Sequence, residues 1–144
     1  MSKEIAIHWF RQDLRIKDNP SLEAASRFDS YIPIYILDDT NAGEFKMGSA
    51  SRWWLHHSLN NLNESLDGNL RFYKGDPNEI IQRLVKDFSI SKIFWNRCYE
   101  PWRIDRDKKI KHELETSNIS VESFCGSLLW EPWNISKDDG TPYR

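Results

Sequence analysis

Residues 70–95 read LRFYKGDPNEIIQRLVKDFSISKIFW: a short apolar run, a turn, an amphipathic stretch and a second apolar run. Leu70–Tyr73 has the composition of a strand, and Gly75-Asp76-Pro77 ends it. Asp76 is placed to cap a new helix, Pro77 suits its first position, and Glu79 completes an Asp-x-x-Glu capping box. Ile80, Ile81, Leu84, Val85 and Phe88 then recur at helical spacing. Lys92–Trp95 is a further strand, closed by Asn96. Strand, helix and strand in immediate succession form the crossover unit of a parallel sheet.

The same alternation continues on either side. Upstream, Glu4–Phe10 (EIAIHWF) and Tyr31–Leu37 (YIPIYIL) are continuous apolar runs suited to strands buried on both faces. Between them Asn19 reads as an N-cap and Pro20 as the first residue of a helix through Ala25. Leu55, Leu59, Leu62 and Leu66 place an apolar stripe on one face of another helix. Downstream, a charged helix runs from about Arg103 to Thr116, and Ile119–Phe124 supplies a fifth strand. The expected class is therefore α/β, a parallel sheet covered by helices on both faces. Leu128–Arg144 loses this periodicity and reads as loop.

At 144 residues the chain has the size of one domain. No apolar run approaches the roughly 18 residues of a membrane span, and the N-terminus lacks the pattern of a signal peptide, so a soluble cytoplasmic protein is expected. A net charge of −2 argues against a chain that grips nucleic acid unaided, because phosphate binding needs clustered cations. Cys98 and Cys125 are too few for a disulfide framework, and with no base nearby in sequence both read as packing residues. His8, His56, His57 and His112 lack the spacing of a metal site. The unusual feature is aromatic: seven Trp, seven Phe and five Tyr exceed what a core of this size requires. A flat aromatic ligand, a domain interface or plain packing each accounts for that excess.

Ligands of open parallel sheets bind beyond the carboxyl ends of the strands. Two loops there carry chemistry. Trp9–Arg15 (WFRQDLR), followed by Asp18-Asn19-Pro20, has neither the glycine spacing of a dinucleotide fingerprint nor a phosphate loop. Its Arg11, Asp13 and Arg15 fit an internal ion-pair network better than ligand contact. The second loop, Trp95–Trp102 (WNRCYEPW), groups a carboxylate, an amide, a phenol and indoles around Pro101. That mixture suits a flat heteroaromatic ligand with polar edges, and it equally suits a helix start with Glu100 at its positive end. Arg103, Arg106, Lys108, Lys109, Lys111 and His112 read as a solvated helix face, with contact to DNA as the minority alternative. Trp53 falls opposite the leucine stripe and Trp54 at its flank.

Taken together, Trp9–Arg15 with Asp18-Asn19-Pro20, Gly75-Asp76-Pro77, Asn96-x-x-Tyr99-Glu100-Pro101, Arg106-Asp107 and Gly140-x-Pro142-Tyr143-Arg144 resemble the N-terminal domain of the DNA photolyase and cryptochrome family, in order along essentially the whole chain. Arg52-Trp53-Trp54-Leu55 resembles the bacterial class I cyclobutane-dimer photolyases more than animal cryptochromes. The resemblance implies a Rossmann-like five-stranded sheet in the order 3-2-1-4-5. Residues 1–130 would form the antenna domain, and 131–144 the start of a connection to a helical domain that holds FAD. The implied antenna is a methenyltetrahydrofolate or an 8-hydroxy-5-deazaflavin, which passes excitation to reduced FAD for the splitting of pyrimidine dimers. Damaged DNA and FAD would thus be met only through the longer protein, and no catalytic residue is expected in this chain.

The resemblance also implies site residues. Glu100 matches the carboxylate that hydrogen-bonds the folate's pterin ring. The deazaflavin pocket would use Ile36, Leu37 and Asp38, with Arg52 and the segment from Glu100 to about Lys108, including Trp102 as a stacking wall, Arg103, Asp105 and Arg106. The alternative to a repair protein is a cryptochrome-type light-signalling module on the same fold.

Overall fold

The computed structural model describes residues 3–143, so Arg144 of the last motif lies outside the described residues. In chain order the elements are β1 (Ile5–Phe10), α1 (Pro20–Ala25), β2 (Ser30–Leu37), α2 (Ser49–Ser65), β3 (Arg71–Lys74), α3 (Pro77–Phe88), β4 (Lys92–Asn96), α4 (Pro101–Thr116) and β5 (Ser120–Phe124). The strands pair in parallel in the order β3-β2-β1-β4-β5, as the resemblance implied.

Side chains alternate across the sheet and build two cores. On one face Ile7, Trp9, Ile34, Ile36, Ile93 and Trp95 meet Ile80, Ile81 and Leu84 of α3 and Ile110 and Leu114 of α4. On the other, Phe10 and Tyr35 pack with Leu22, Leu59 and Leu62, while Ala6 and Phe94 pack with Ala25. β1 and β4 are central and buried on both sides, which is why they read as unbroken apolar runs. β3 is an edge strand with Arg71 and Lys74 exposed, a composition that discourages pairing with another sheet.

The helix starts show how local signals fared. Asn19 caps α1 as expected, its Oδ1 accepting the Leu22 N–H at 3.2 Å. α3 begins at Pro77 as expected, but Asp76 makes no side-chain cap. Its Oδ1 instead accepts from Asn41 Nδ2 at 2.9 Å, because the loop after β2 lies against the end of β3. Gly75, at φ +136°, makes the turn between them, and its N–H reaches the Leu37 carbonyl at 3.1 Å. α4 starts at Pro101, two residues before the expected Arg103. The tail reads as loop apart from one 3-10 turn at Pro132–Asn134. Among the described residues no helix is long and apolar enough to cross a membrane.

Candidate functional site

The loop leaving β1 is held by a buried polar network. Asp13 Oδ1 accepts the Arg11 backbone N–H at 2.8 Å, and its Oδ2 accepts from Asn96 at 2.7 Å and Asn19 at 3.2 Å. Asn96 Nδ2 also donates to Asn19 Oδ1 at 2.8 Å. Ser21 joins the network to fully buried His8, with 2.7 Å between Oγ and Nε2. Burial lowers the His8 pKa from 6.5 to about 4 against the opposing pull of Asp13, so the ring is neutral at pH 7. Gly126 passes so close that a Cβ there would lie 2.6 Å from Asn96 Cγ.

The internal ion-pair network expected of this loop does not form. Arg11 pairs with Asp107 of α4, Asp13 binds amides, and Arg15 donates to the carbonyls of Asp18 and Gly126. Tertiary neighbours displace the local ion pairing, because Arg11 finds Asp107, Asp13 finds Asn96 and Arg15 reaches Gly126, each distant in sequence.

Between the carboxyl ends of β1 and β2 and the first turns of α2 and α4 lies a cleft of about 530 Å³. Of the expected site residues, Ile36, Leu37, Asp38, Trp102, Arg103 and Arg106 line it together. Arg52 does not; it donates to Asp39 at 2.8 Å and to the Met47 carbonyl at 3.0 Å, bracing the loop that forms one wall. That bond from Arg52 holds the Asp39 carboxyl below its ordinary range. Asp105 is exposed on α4, outside the cleft. Glu100 stands at the N-terminus of α4 beside the cleft rather than in its lining, and its Oε1 accepts from Gln12 at 2.8 Å. Desolvation raises its pKa, yet backbone hydrogen bonds, Arg103 and Gln12 outweigh this and hold it below the usual carboxylate range.

The basic helix face is only partly solvated, which corrects its expected character. Lys108 and Lys109 are exposed, but Arg106 is turned in, pairing with Asp38 at 3.0 Å and Asp107 at 2.9 Å, with side chains 7% and 4% exposed for Arg106 and Asp38. The signal for this was present: positions 103, 106, 110 and 114 share one helical face, and Ile110 and Leu114 on it are core.

Guanidinium groups and indoles alternate along the cleft floor. The Arg11 guanidinium sits 4.4 Å from the Trp9 ring and 5.5 Å from that of Trp95. Arg106 lies 5.0 Å from Trp9 and 5.1 Å from Trp102, and Arg103 lies 4.9 Å from Trp102. Part of the aromatic excess is thus committed to cation–π contacts. Trp9 Nε1, Arg11 Nε and Nη1 and Arg103 Nε are buried without a hydrogen-bond partner, and all three residues line the cleft. These atoms present no surface to the cleft, so Trp9, Arg11 and Arg103 contribute ring and guanidinium faces to its lining rather than free donors.

Other cleft residues were not legible in sequence. Phe45 and Met47 belong to a loop without a motif, whereas Trp54, exposed at the mouth, was visible as an aromatic off the leucine stripe. Trp53 points elsewhere, edge-on to His57. A larger groove of about 1070 Å³ runs along α1 and residues 125–129, but those unpartnered donors do not line it. Cys98 is buried, while half-buried Cys125 donates to the Leu128 carbonyl. No metal-binding cluster of His, Cys, Asp and Glu occurs among the described residues.

A family model described as DNA photolyase matches residues 6–144. The chain belongs to the DNA photolyase family. The deoxyribodipyrimidine photo-lyase of Agrobacterium fabrum is 40% identical over 142 residues, which is 96% of this chain and 29% of that protein. Cryptochrome-2 of Arabidopsis thaliana is 38% identical over 95% of this chain and 23% of its own length. The crystal structure of a bacterial class III photolyase from Agrobacterium tumefaciens matches with a TM-score of 0.90 at 36% identity, covering 100% of this chain and 30% of that one. This photolyase-family chain therefore spans less than a third of these relatives, and the likeness to a class III structure does not confirm the expected likeness to class I.

Proposed function

We propose that this chain is the antenna-chromophore domain of a light-driven DNA-repair photolyase, with the 530 Å³ cleft as the chromophore's site. The observation that carries the reading is the cleft at the carboxyl ends of β1 and β2, with Trp9, Trp54 and Trp102 in its lining, in a photolyase-family chain. The bound group is a methenyltetrahydrofolate or an 8-hydroxy-5-deazaflavin. When bound it supplies absorption of near-ultraviolet or blue light and hands the excitation to reduced FAD.

The chain's own residues bind and orient. Ile36 and Leu37 give an apolar edge and Trp102 a stacking face. Glu100, at the rim, accepts from ring N–H groups, and Arg52 keeps the loop before α2 in place. Asp38 and Arg106 neutralise each other in the cleft lining. Residues 131–143 lead toward a helical FAD domain that carries the lesion chemistry and meets DNA. Leu129, Trp130 and Trp133, 94%, 65% and 58% exposed, support a surface covered by such a domain.

Titrating the chain with each chromophore, read by absorbance and by emission, tests the reading. Saturable binding of one with a red-shifted absorbance is expected, and absence of binding of both overturns it. The similarity to cryptochrome-2 favours a second reading, a light-signalling module on the same fold. Light-dependent repair of dimer-containing DNA by the longer protein separates the two.

A further inference from the structure

This inference rests on the cleft being a chromophore site. Indole gives up an electron readily, and an excited heteroaromatic ring in contact with it can accept that electron, which ends the excited state before energy leaves the site. Trp9 and Trp102 both line the cleft, so such a site is built from its own quenchers. Each of these indoles is also faced by cations. Trp9 has Arg11 at 4.4 Å and Arg106 at 5.0 Å, and Trp102 has Arg103 at 4.9 Å and Arg106 at 5.1 Å.

Guanidinium stays charged at every accessible pH, and charge–charge repulsion is strong away from water. An indole radical cation formed beside it is therefore disfavoured. The counter-charges are unequal: Arg11 pairs with Asp107, and Arg106 with Asp38 and Asp107, whereas Arg103 has only Glu100, at 3.7 Å. Arg103 is the least neutralised cation over a cleft-lining indole.

We propose that Arg103, together with Arg106, protects the bound chromophore's excited state by suppressing electron transfer from Trp102. The suppressed step moves one electron and no proton: the Trp102 indole would be oxidised to its radical cation and the excited ring would gain that one electron. The arrangement gives the cleft aromatic walls for binding without the loss of excitation that aromatic walls cause.

The test is the fluorescence lifetime of bound 8-hydroxy-5-deazaflavin and of bound methenyltetrahydrofolate, with binding measured separately by equilibrium dialysis. Arg103→Gln is expected to shorten the lifetime at least twofold, Arg103→Lys to keep it, and Trp102→Phe added to Arg103→Gln to restore it. An unchanged lifetime in Arg103→Gln, or a shortening that persists in the double variant, overturns the proposal and leaves the chromophore site standing. Should Arg103→Gln fail to fold, Trp102→Phe alone decides: an unchanged lifetime supports protection, and a rise of twofold or more shows that Trp102 quenches despite its arginines. If neither probe binds the unaltered chain, the site reading itself falls, and this inference with it.

Discussion

Gly126→Ala is the sharpest test of how the β1 loop is held. A Cβ built at Gly126 lies 2.6 Å from Asn96 Cγ and 2.8 Å from both its Cβ and Nδ2, all well inside contact distance. Asn96 is 4% exposed and cannot swing away without leaving Asp13 at 2.7 Å and Asn19 at 2.8 Å. Overpacking a dense site costs about 1–3 kcal/mol, and losing buried hydrogen bonds, one of them to a carboxylate, adds about 1–3 kcal/mol. The expected total is about 2–6 kcal/mol, read by urea unfolding followed by circular dichroism, with the slope against urea unchanged. In an Asn96→Gly background all three colliding atoms, the Cβ included, are gone, so Gly126→Ala should cost less than about 1 kcal/mol there. A small penalty in the native background, or equal penalties in both, would refute the reasoning.

Other consequences follow from the same geometry. The unfolded chain protonates His8 at its ordinary pKa of 6.5 while the buried ring resists down to about 4, so stability should fall as pH drops through that window, by roughly 3 kcal/mol. His8→Gln should flatten this dependence in denaturation curves between neutral and acid pH; identical profiles would count against it. Arg106→Met removes the ion pair of Asp38, whose carboxylate keeps the Thr40 and Asn41 N–H groups and Asn41 Nδ2, and should cost about 1.5–3 kcal/mol in urea unfolding, with Asp38→Asn in the same chain recovering part of the loss. Glu100→Gln should weaken chromophore binding by about 1–3 kcal/mol in an absorbance titration, and unchanged affinity with intact folding would remove Glu100 from the site.

The fold was readable because its signals are local or periodic. Pro77 and Asn19 start helices wherever the chain goes next, and the leucines of α2 share a face by helical geometry alone. Asp76 shows the limit: the capping box was written in sequence, and a tertiary neighbour, Asn41, claimed its carboxylate. The candidate site was half legible. Ile36, Leu37, Asp38, Trp102, Arg103 and Arg106 line one cleft, whereas Phe45 and Met47 belong to a loop whose path no pattern announces.

The sequence by itself determined a parallel α/β domain, because burial of central strands and of helix faces imposes repeats that any such sheet must carry. It also determined membership of the photolyase family, through motifs spread along the chain. Tertiary structure alone decided the electrostatics of the cleft. Arg106 meets Asp38 across 68 positions and Arg11 meets Asp107 across 96, and no local rule assigns such partners. The helix face that buries Ile110 and Leu114 extends past the strand ends, where Arg103 and Arg106 leave the core and enter the cleft. Charges that looked solvated in sequence are there held against indoles, because the end of the sheet is where apolar packing stops and a ligand site begins.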